Sequence, residues 1–239
     1  MPSQYYPKLD QETQSIILEA EEFHHLTRVK RLAMGQEIQI NGGNGYLAEA
    51  RVLRLDKHSA SIEILSTEYH ELPEPRFAIA FALLKNHHDE LAIEKCTELG
   101  ALDFFPLKTK RSVREEGKNT ISRFEKIALA AIKQCDNPWL PKVHPALDLK
   151  KAITEIRAAG YTPVLCSERE ESQWLQDLES GQDLCFIIGP EGGFCDEEFD
   201  LLKDLPNIRL SHLITRAETA AIAISAQFQA YRRSGSVKA

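Results

Sequence analysis

Phe77 to Leu84 is a run of eight apolar residues without alternation, the pattern of a strand covered on both faces. Leu102–Leu107, Thr162–Cys166, Leu184–Ile188 and Ile208–Leu210 are the further strand candidates. Between them the spacing turns helical. Leu91, Ala92, Cys96 and Leu99 share one face, with Gly100 placed as a C-cap. Ile121, Phe124, Ala128, Ala131 and Cys135 form a second stripe, and Ile153 and Ile156 mark a third helix. Strand and helix in alternation predict an α/β domain on a parallel sheet. A last helix, about Glu218 to Arg232, is apolar almost all round, through Ala220, Ala221, Ile222, Ala223, Ile224, Ala226 and Phe228. It is expected to be buried on more than one side, within its own domain or in a homodimer.

The first part of the chain has period two instead. Glu37-Ile38-Gln39-Ile40 alternates, Asn41-Gly42-Gly43-Asn44-Gly45 supplies a turn, and Tyr46–Leu55 and Ser59–Leu65 continue as strands. Glu71-Leu72-Pro73-Glu74-Pro75 is a short stiff linker. The expected organisation is a small β-barrel over 1–72 and an α/β domain over 73–239.

Composition adds bounds. The 239 residues, 43% hydrophobic and 27% charged, suit one large or two small soluble domains. No apolar run approaches the roughly 20 residues of a membrane helix, and the stretch from Met1 to Pro7 lacks the features of a signal peptide. The expectation is a cytoplasmic protein. Five cysteines, at 96, 135, 166, 185 and 195, are odd in number and widely spaced, which reads as reduced thiols and neither a disulfide framework nor a metal site. His24 and His25 have no evident partner ligands for a metal. The net charge of −7 argues against indiscriminate nucleic-acid binding, yet phosphate contact needs only local cations. Residues 107–126 carry seven Lys/Arg against three Asp/Glu, with Lys108, Lys110, Arg111 and Arg114 at the core. Arg28, Lys30 and Arg31 form a smaller cluster that charge alone assigns to solvated surface.

Candidate chemistry centres on Cys185-Phe186-Ile187-Ile188-Gly189-Pro190-Glu191-Gly192-Gly193-Phe194. A buried strand stops at a glycine loop, where Gly192 and Gly193 permit φ > 0 and close approach of a ligand. Asp196, with Glu197 and Glu198 after it, reads as a helix N-cap. The loop has no Gly-Lys-Ser/Thr ending and carries Glu191, which disfavours a triphosphate. It is not Gly-x-Gly-x-x-Gly and has no elbow serine. A ligand with a positive centre and no phosphate fits; S-adenosylmethionine is one.

About twenty residues on comes Leu210-Ser211-His212-Leu213-Ile214-Thr215-Arg216-Ala217-Glu218-Thr219-Ala220. The two segments in this order resemble the SPOUT RNA methyltransferases, and more closely the ribosomal RNA small-subunit methyltransferase E family, which methylates N3 of a uridine in 16S rRNA. His24-His25-Leu26 with Val29-Lys30-Arg31, Lys85, Lys95 to Gly100 and Arg111-Ser112-Val113 extend the likeness over nearly the whole chain. Ser211, Leu213, Thr215, Ala217, Lys133 and Asn137 depart from the family pattern.

The resemblance implies a PUA-like RNA-binding barrel, then a SPOUT domain with a carboxy-terminal trefoil knot, a homodimer, and 16S rRNA or the small ribosomal subunit as partner. It implies S-adenosylmethionine held by Leu165, Ile188, Gly189, Glu191, Gly192, Gly193, Leu210, Leu213, Thr215, Glu218, Thr219 and Ala220. RNA contacts fall to Arg28, Lys30, Arg31, Lys85, Lys108, Lys110, Arg111 and Arg114. The N3 of uracil is a poor nucleophile until its proton leaves, so catalysis needs a base or a cation beside the developing anion. Arg216 is the candidate cation, with an ion pair to Glu218 or Glu191 as the structural alternative. The base is unassigned, Glu191 being one candidate. A methyltransferase acting on another RNA or base atom, and a non-enzymatic RNA-binding or ribosome-assembly protein, are the competing readings.

Overall fold

In the computed structural model the described residues are 3–19, 22–23, 33–112, 114–167, 172–179 and 181–236, with side chains to Arg232. Two compact units divide the chain: 1–72 with 129–140, and 73–128 with 141–239.

The first unit is one sheet of β1 (Gln4–Tyr5), β2 (Ser15–Glu19), β3 (Glu37–Asn41), β4 (Tyr46–Leu55) and β5 (Ser59–Tyr69), in the order β1-β3-β4-β5-β2. It is antiparallel apart from the β1–β3 pair. Alternation turns Ile16, Leu18, Ile38, Ile40, Val52 and Ile62 into one core. Two register shifts, at Glu49/Ala50 and Val52/Arg54, bend the long β4–β5 ribbon. The sheet is a curled half-barrel, because no ladder among the described residues joins β1 to β2.

Two of the departures from the family pattern have structural roles here. Lys133 Nζ pairs with Glu22 at 2.7 Å, both largely buried. Asn137 accepts from the buried Asn41 side chain through its carbonyl, at 2.9 Å, and from Trp139 N through Oδ1, at 3.0 Å. Arg28, Lys30 and Arg31, and the histidines at 24 and 25, lie outside the described residues.

The second unit carries β6 (Phe77–Ala82), α1 (His88–Glu98), β7 (Asp103–Lys108), the start of α2 (Thr120–Cys135), β8 (Lys142–Val143), β9 (Leu147–Asp148), α3 (Leu149–Ala158), β10 (Thr162–Cys166), β11 (Leu184–Ile188), α4 (Asp196–Leu202), β12 (Asn207–Ile208) and α5 (Ala217–Ser236). The sheet order is β12-β10-β11-β6-β7-β8, with β9 also on β7, and every pair is parallel.

Each strand feeds both faces, which is why β6 and β11 are buried throughout. Ala78, Ala80, Phe105, Leu107, Leu165, Cys185 and Ile187 pack with Ile153 and Ile156 of α3 and Leu202 of α4. On the other face Phe228 of α5 lies with its ring 5.1 Å from Phe77 and 5.7 Å from Phe186, and Phe124 of α2 lies 5.9 Å from Phe81.

Some sequence expectations shift. Ala92 and Cys96 are buried as expected, but Leu91 is 41% exposed, and α1 also buries Asp89, Ile93 and Thr97. Gly100 follows the C-cap Leu99 at φ +85°, with Gly100 N donating to Thr97 O and Ala101 N to Cys96 O, a Schellman closure. Cys195, not Asp196, is the N-cap of α4, and Glu198 turns back to accept from Cys195 N at 3.0 Å. The last strand is only Asn207–Ile208.

At the amino ends of the strands, polar groups close on one another. Asp103 accepts from Tyr161 OH at 2.6 Å and pairs with His144 Nε2 at 2.7 Å. Asp183 accepts from Arg76 N and Nε at 2.6 and 2.7 Å. Burial first, then the bond to Asp103, pushes the Tyr161 phenol well above its ordinary value.

Candidate functional site: a cleft at the carboxyl ends of three strands

A parallel sheet delivers the carboxyl ends of its strands to one edge, where the following loops can converge on a ligand. Here the ends of β10 and β11 and the segment after β12 enclose a cleft of ≈ 470 Å³, within the range of small-molecule sites. Leu165 and Cys166 come from β10, and Ser167 directly follows it. Ile188 to Glu191, Gly193 and Phe194 come from β11 and its loop, and Phe199 from α4. Leu210, Ser211, Leu213 to Ala217 and Ala220 complete the lining.

Of the residues expected to hold a donor, Leu165, Ile188, Gly189, Glu191, Gly193, Leu210, Leu213, Thr215 and Ala220 line this cleft, and so does Arg216. Gly192, Glu218 and Thr219 are not among its lining residues. Cys166, Ser167, Pro190, Phe194, Phe199, Ser211, Ile214 and Ala217 line it without having been singled out as donor contacts. Pro190, Phe194, Ser211, Ile214 and Ala217 stand inside the two motifs and Phe199 just after the first, while Cys166 and Ser167 adjoin Leu165 at the end of β10.

The glycines act differently from one another. Gly193 takes φ +68° as its N–H closes on Pro190 O at 2.8 Å, a conformation that favours glycine. Gly189 lets the Phe194 ring in: a Cβ there would meet it at 3.0 Å. Gly192 is not in the left-handed region, and a Cβ there would meet Arg111 Cβ at 3.4 Å. The expected φ > 0 therefore holds at Gly193 alone, and Gly192 faces Arg111.

That arginine is the main finding around the loop. Arg111 Nη1 donates to Gly192 O at 3.1 Å and Phe194 O at 3.2 Å. Lys110 N donates to the buried Glu198 at 2.8 Å, and Lys110 Nζ pairs with Glu197 at 3.1 Å. Lys85 N donates to Glu191 Oε1 at 3.3 Å. The loop is thus held from two sides by backbone and side-chain donors.

The basic run is otherwise engaged at home. Lys108 Nζ pairs with Glu116 at 2.7 Å, and Arg114 Nη1 binds Asp89 Oδ2 at 2.6 Å. Asp89 is fully buried, also accepts from Leu84 N and Glu90 N, and fixes the start of α1. Its carboxyl is raised, because burial outweighs Arg114 and the backbone donors. Just before it, Asn86 and His87 take φ 52° and 60°, left-handed conformations uncommon for residues with a side chain and costing about 1–3 kcal/mol each.

In the second segment Arg216 is exposed and has no ion-pair partner among the described residues. Glu218 is buried and turned to His88 Nδ1, at 3.1 Å. Ser211 Oγ accepts from Leu213 N at 3.1 Å, tightening the loop with a side chain where the family pattern has glycine. Leu213 and Ile214 are 77% and 82% exposed at the mouth.

The arrangement narrows the chemistry. Burial raises the Cys166 thiol above its ordinary range, which disfavours a thiolate nucleophile there. No cluster of three His, Cys, Asp or Glu among the described residues could hold a metal. What remains is a cleft of apolar walls and loop backbone with one carboxylate, Glu191, and one cation, Arg216, at its edge. That suits orientation and charge stabilisation better than hydrolysis.

Known proteins carry the same combination. Residues 70–229 match the RNA methyltransferase domain family and residues 18–65 the RNA methyltransferase PUA domain. In fold and cleft this is the RNA methyltransferase class. The ribosomal RNA small subunit methyltransferase E of Synechocystis is 31% identical over 222 residues, covering 90% of this chain and 73% of the relative. That of Bacillus subtilis is 28% identical, covering 89% and 88%. A crystal structure of the Neisseria gonorrhoeae ribosomal RNA small subunit methyltransferase E bound to S-adenosyl methionine superposes with TM-score 0.85 at 26% identity, over 96% of this chain and 97% of that one. A putative methyltransferase from Legionella pneumophila in complex with the same cofactor gives 0.86, also at 26%. The chain belongs to the ribosomal RNA small subunit methyltransferase E family.

Proposed function

We propose that this protein transfers a methyl group from S-adenosylmethionine to N3 of a specific uridine in 16S ribosomal RNA of the small subunit. The observation that carries the reading is Arg216, an exposed guanidinium without an ion-pair partner among the described residues, on the rim of a cleft bounded by the glycine loop.

The residues present fit the donor. Gly193 leaves open space for close backbone approach, Leu165, Ile188 and Phe194 offer apolar walls, and Glu191 offers a carboxylate to a cationic group. When bound, S-adenosylmethionine supplies an electrophilic methyl on a sulfonium centre. Everything else falls to this chain. The clamped loop orients, the apolar walls exclude water, and Arg216, which cannot lose its charge, stabilises the uracil oxygen as the base becomes anionic. Lys108, Lys110 and the half-barrel of β1 to β5 would meet RNA phosphates and shape. A trefoil knot at the carboxyl end, a homodimer and a cytoplasmic location belong to the same reading. No helix among the described residues is long and apolar enough to cross a membrane.

The test is transfer of labelled methyl from S-adenosylmethionine to small subunits lacking the modification, with mass spectrometry of the nucleosides. 3-Methyluridine is the expected product. A different methylated nucleoside would move the target atom, and no incorporation by the folded protein into subunits or free RNA would refute the enzymatic reading.

A further inference from the structure

We infer that Leu213 and Ile214, with His212 and Trp174 beside them, form a rim of the cleft on which unpaired bases of the substrate RNA pack, so that the acceptor uridine is taken from a single-stranded segment; this rests on the function proposed above. The target atom already limits the substrate. N3–H is the donor of a Watson–Crick paired uracil, so it is out of reach while the base is paired. An unpaired, unstacked base turns its apolar faces to the protein.

The rim offers the matching surface. Leu213 and Ile214, at 77% and 82%, are the most exposed large hydrophobics among the described residues. Both line the cleft, in the segment that leads to Arg216. Adjacent exposed aliphatics at the mouth of a pocket mark a surface that a ligand covers. Their backbone is held: Ser211 Oγ accepts from Leu213 N at 3.1 Å, and Gln227 Nε2 of α5 donates to Leu210 O at 2.9 Å. Beside them the exposed His212 sets its ring edge-on to Trp174, 5.1 Å between centroids, and the Arg209 guanidinium lies 5.9 Å over the same indole. Trp174 is brought there by the sheet edge, where Gln173 N donates to Asn207 O at 2.9 Å and Arg209 N to Gln173 O at 2.8 Å.

Charge selects the occupant. The chain carries a net −7, yet residues 205–217 hold Arg209, His212 and Arg216 and no Asp or Glu. Aliphatic and aromatic groups interleaved with cations suit a polyanion with flat apolar bases, that is, single-stranded RNA; a duplex would present its phosphates and keep its base faces stacked. A second copy of the chain could also cover aliphatic side chains, and the experiment separates the two.

The experiment measures binding of a labelled oligouridine, alone and annealed to oligoadenosine, to wild type, Ile214→Ser and Ile214→Trp. Calorimetry with S-adenosylmethionine, sedimentation, and methyl transfer to small subunits lacking the modification accompany it. Wild type should bind the single strand more tightly than the duplex. Ile214→Ser should weaken single-strand binding by roughly 5–20-fold and raise KM for subunits, with donor affinity and sedimentation as in wild type. Ile214→Trp, a wider face for stacking, should bind the single strand at least as tightly as wild type, a result that a merely structural side chain would not give. Duplex bound as tightly as single strand, or Ile214→Ser binding RNA as wild type does, overturns the rim. So does an equal loss of donor affinity, which assigns the side chain to the donor, or a changed sedimentation, which assigns it to a second copy. If wild type transfers no methyl while its oligouridine binding still depends on Ile214, the enzymatic reading falls and the rim stands; if transfer proceeds and Ile214→Ser leaves it untouched, the rim alone falls.

Discussion

Replacing Arg111 by alanine should loosen the donor loop without unfolding the domain. Two bonds are lost, Nη1 to Gly192 O at 3.1 Å and to Phe194 O at 3.2 Å. A hydrogen bond from a charged group is worth about 1.5–3 kcal/mol when shielded. Arg111 is exposed, so solvent reduces each to about 0.5–1 kcal/mol. Together they hold the loop by about 1–2 kcal/mol, and a cleft that must reorder its loop on binding loses about 5–30-fold in affinity. Calorimetric titration with S-adenosylmethionine should read this change, while the thermal transition moves by about 2–8 °C. Arg111→Lys should fall between, since an ammonium cannot reproduce the planar fork across two carbonyls. Gly192→Val supplies the control. Its Cβ would make ordinary contact with Arg111 Cβ and Cδ, at 3.4 and 3.7 Å, and its branched methyls would crowd that side chain, so it should weaken binding in the native background and less so in the Arg111→Ala background. Donor affinity within twofold of wild type in Arg111→Ala would refute the clamp. Equal, additive losses would show that residue 192 acts on the ligand directly.

Four other outcomes follow from the same structure. Arg216→Ala should lower turnover by on the order of 10²–10³ with donor affinity nearly intact; unchanged turnover would remove it from the mechanism. Arg114→Ala leaves a buried carboxylate uncompensated and should cost about 3–5 kcal/mol in urea melts. Asp89 is already raised, and losing Arg114 raises it further. The native state then keeps a proton the unfolded chain releases, so stability falls as pH rises through the ordinary Asp value of about 3.9 towards the native one. The Arg114→Ala deficit should therefore be larger at neutral than at acid pH, and a flat deficit would contradict the assignment. Gly100→Ala should lose about 2 kcal/mol, from a left-handed residue whose Cβ would sit 2.8 Å from Gln229 Nε2; a neutral effect would mean the helix end relaxes. Asp103→Ala should destabilise by about 1–3 kcal/mol through stranding Tyr161 OH and His144, with donor affinity unchanged as the readout that separates it from the cleft.

Where a signal was local, sequence and structure agree closely. Thr162–Cys166, Leu184–Ile188 and Tyr46–Leu55 are strands with the expected bounds, because continuous apolar runs and strict alternation are properties of the segment itself. The two motifs likewise meet at one cleft, since each directly follows a strand of the same parallel sheet. The failures are tertiary. Leu91 sits one position off the buried stripe of α1, a rotation of 100° that apolar character cannot resolve when Ala92 and Ile93 compete for the core. Arg111 and Arg114, alike as cations in a basic run, part company through carbonyls some 80 residues later and a carboxylate 25 residues earlier. Glu218 stands in the donor motif, and its ion-pair partner, His88, lies on another helix. Pairings at that separation leave no trace in periodicity.

The placement of β6 sets a schedule for synthesis. Its two neighbours are β7, which follows soon after, and β11, about 100 residues downstream. At roughly 5–20 residues per second, the ribosome needs about 5–20 s to deliver Leu184–Ile188 once Phe77–Ala82 has emerged. Through that interval one edge of an entirely apolar strand stands open, the kind of template on which chains pair with one another. Products that stop short of β11 should collect in inclusion bodies, and the growing chain should be a client for holdase chaperones until its central strand pair closes.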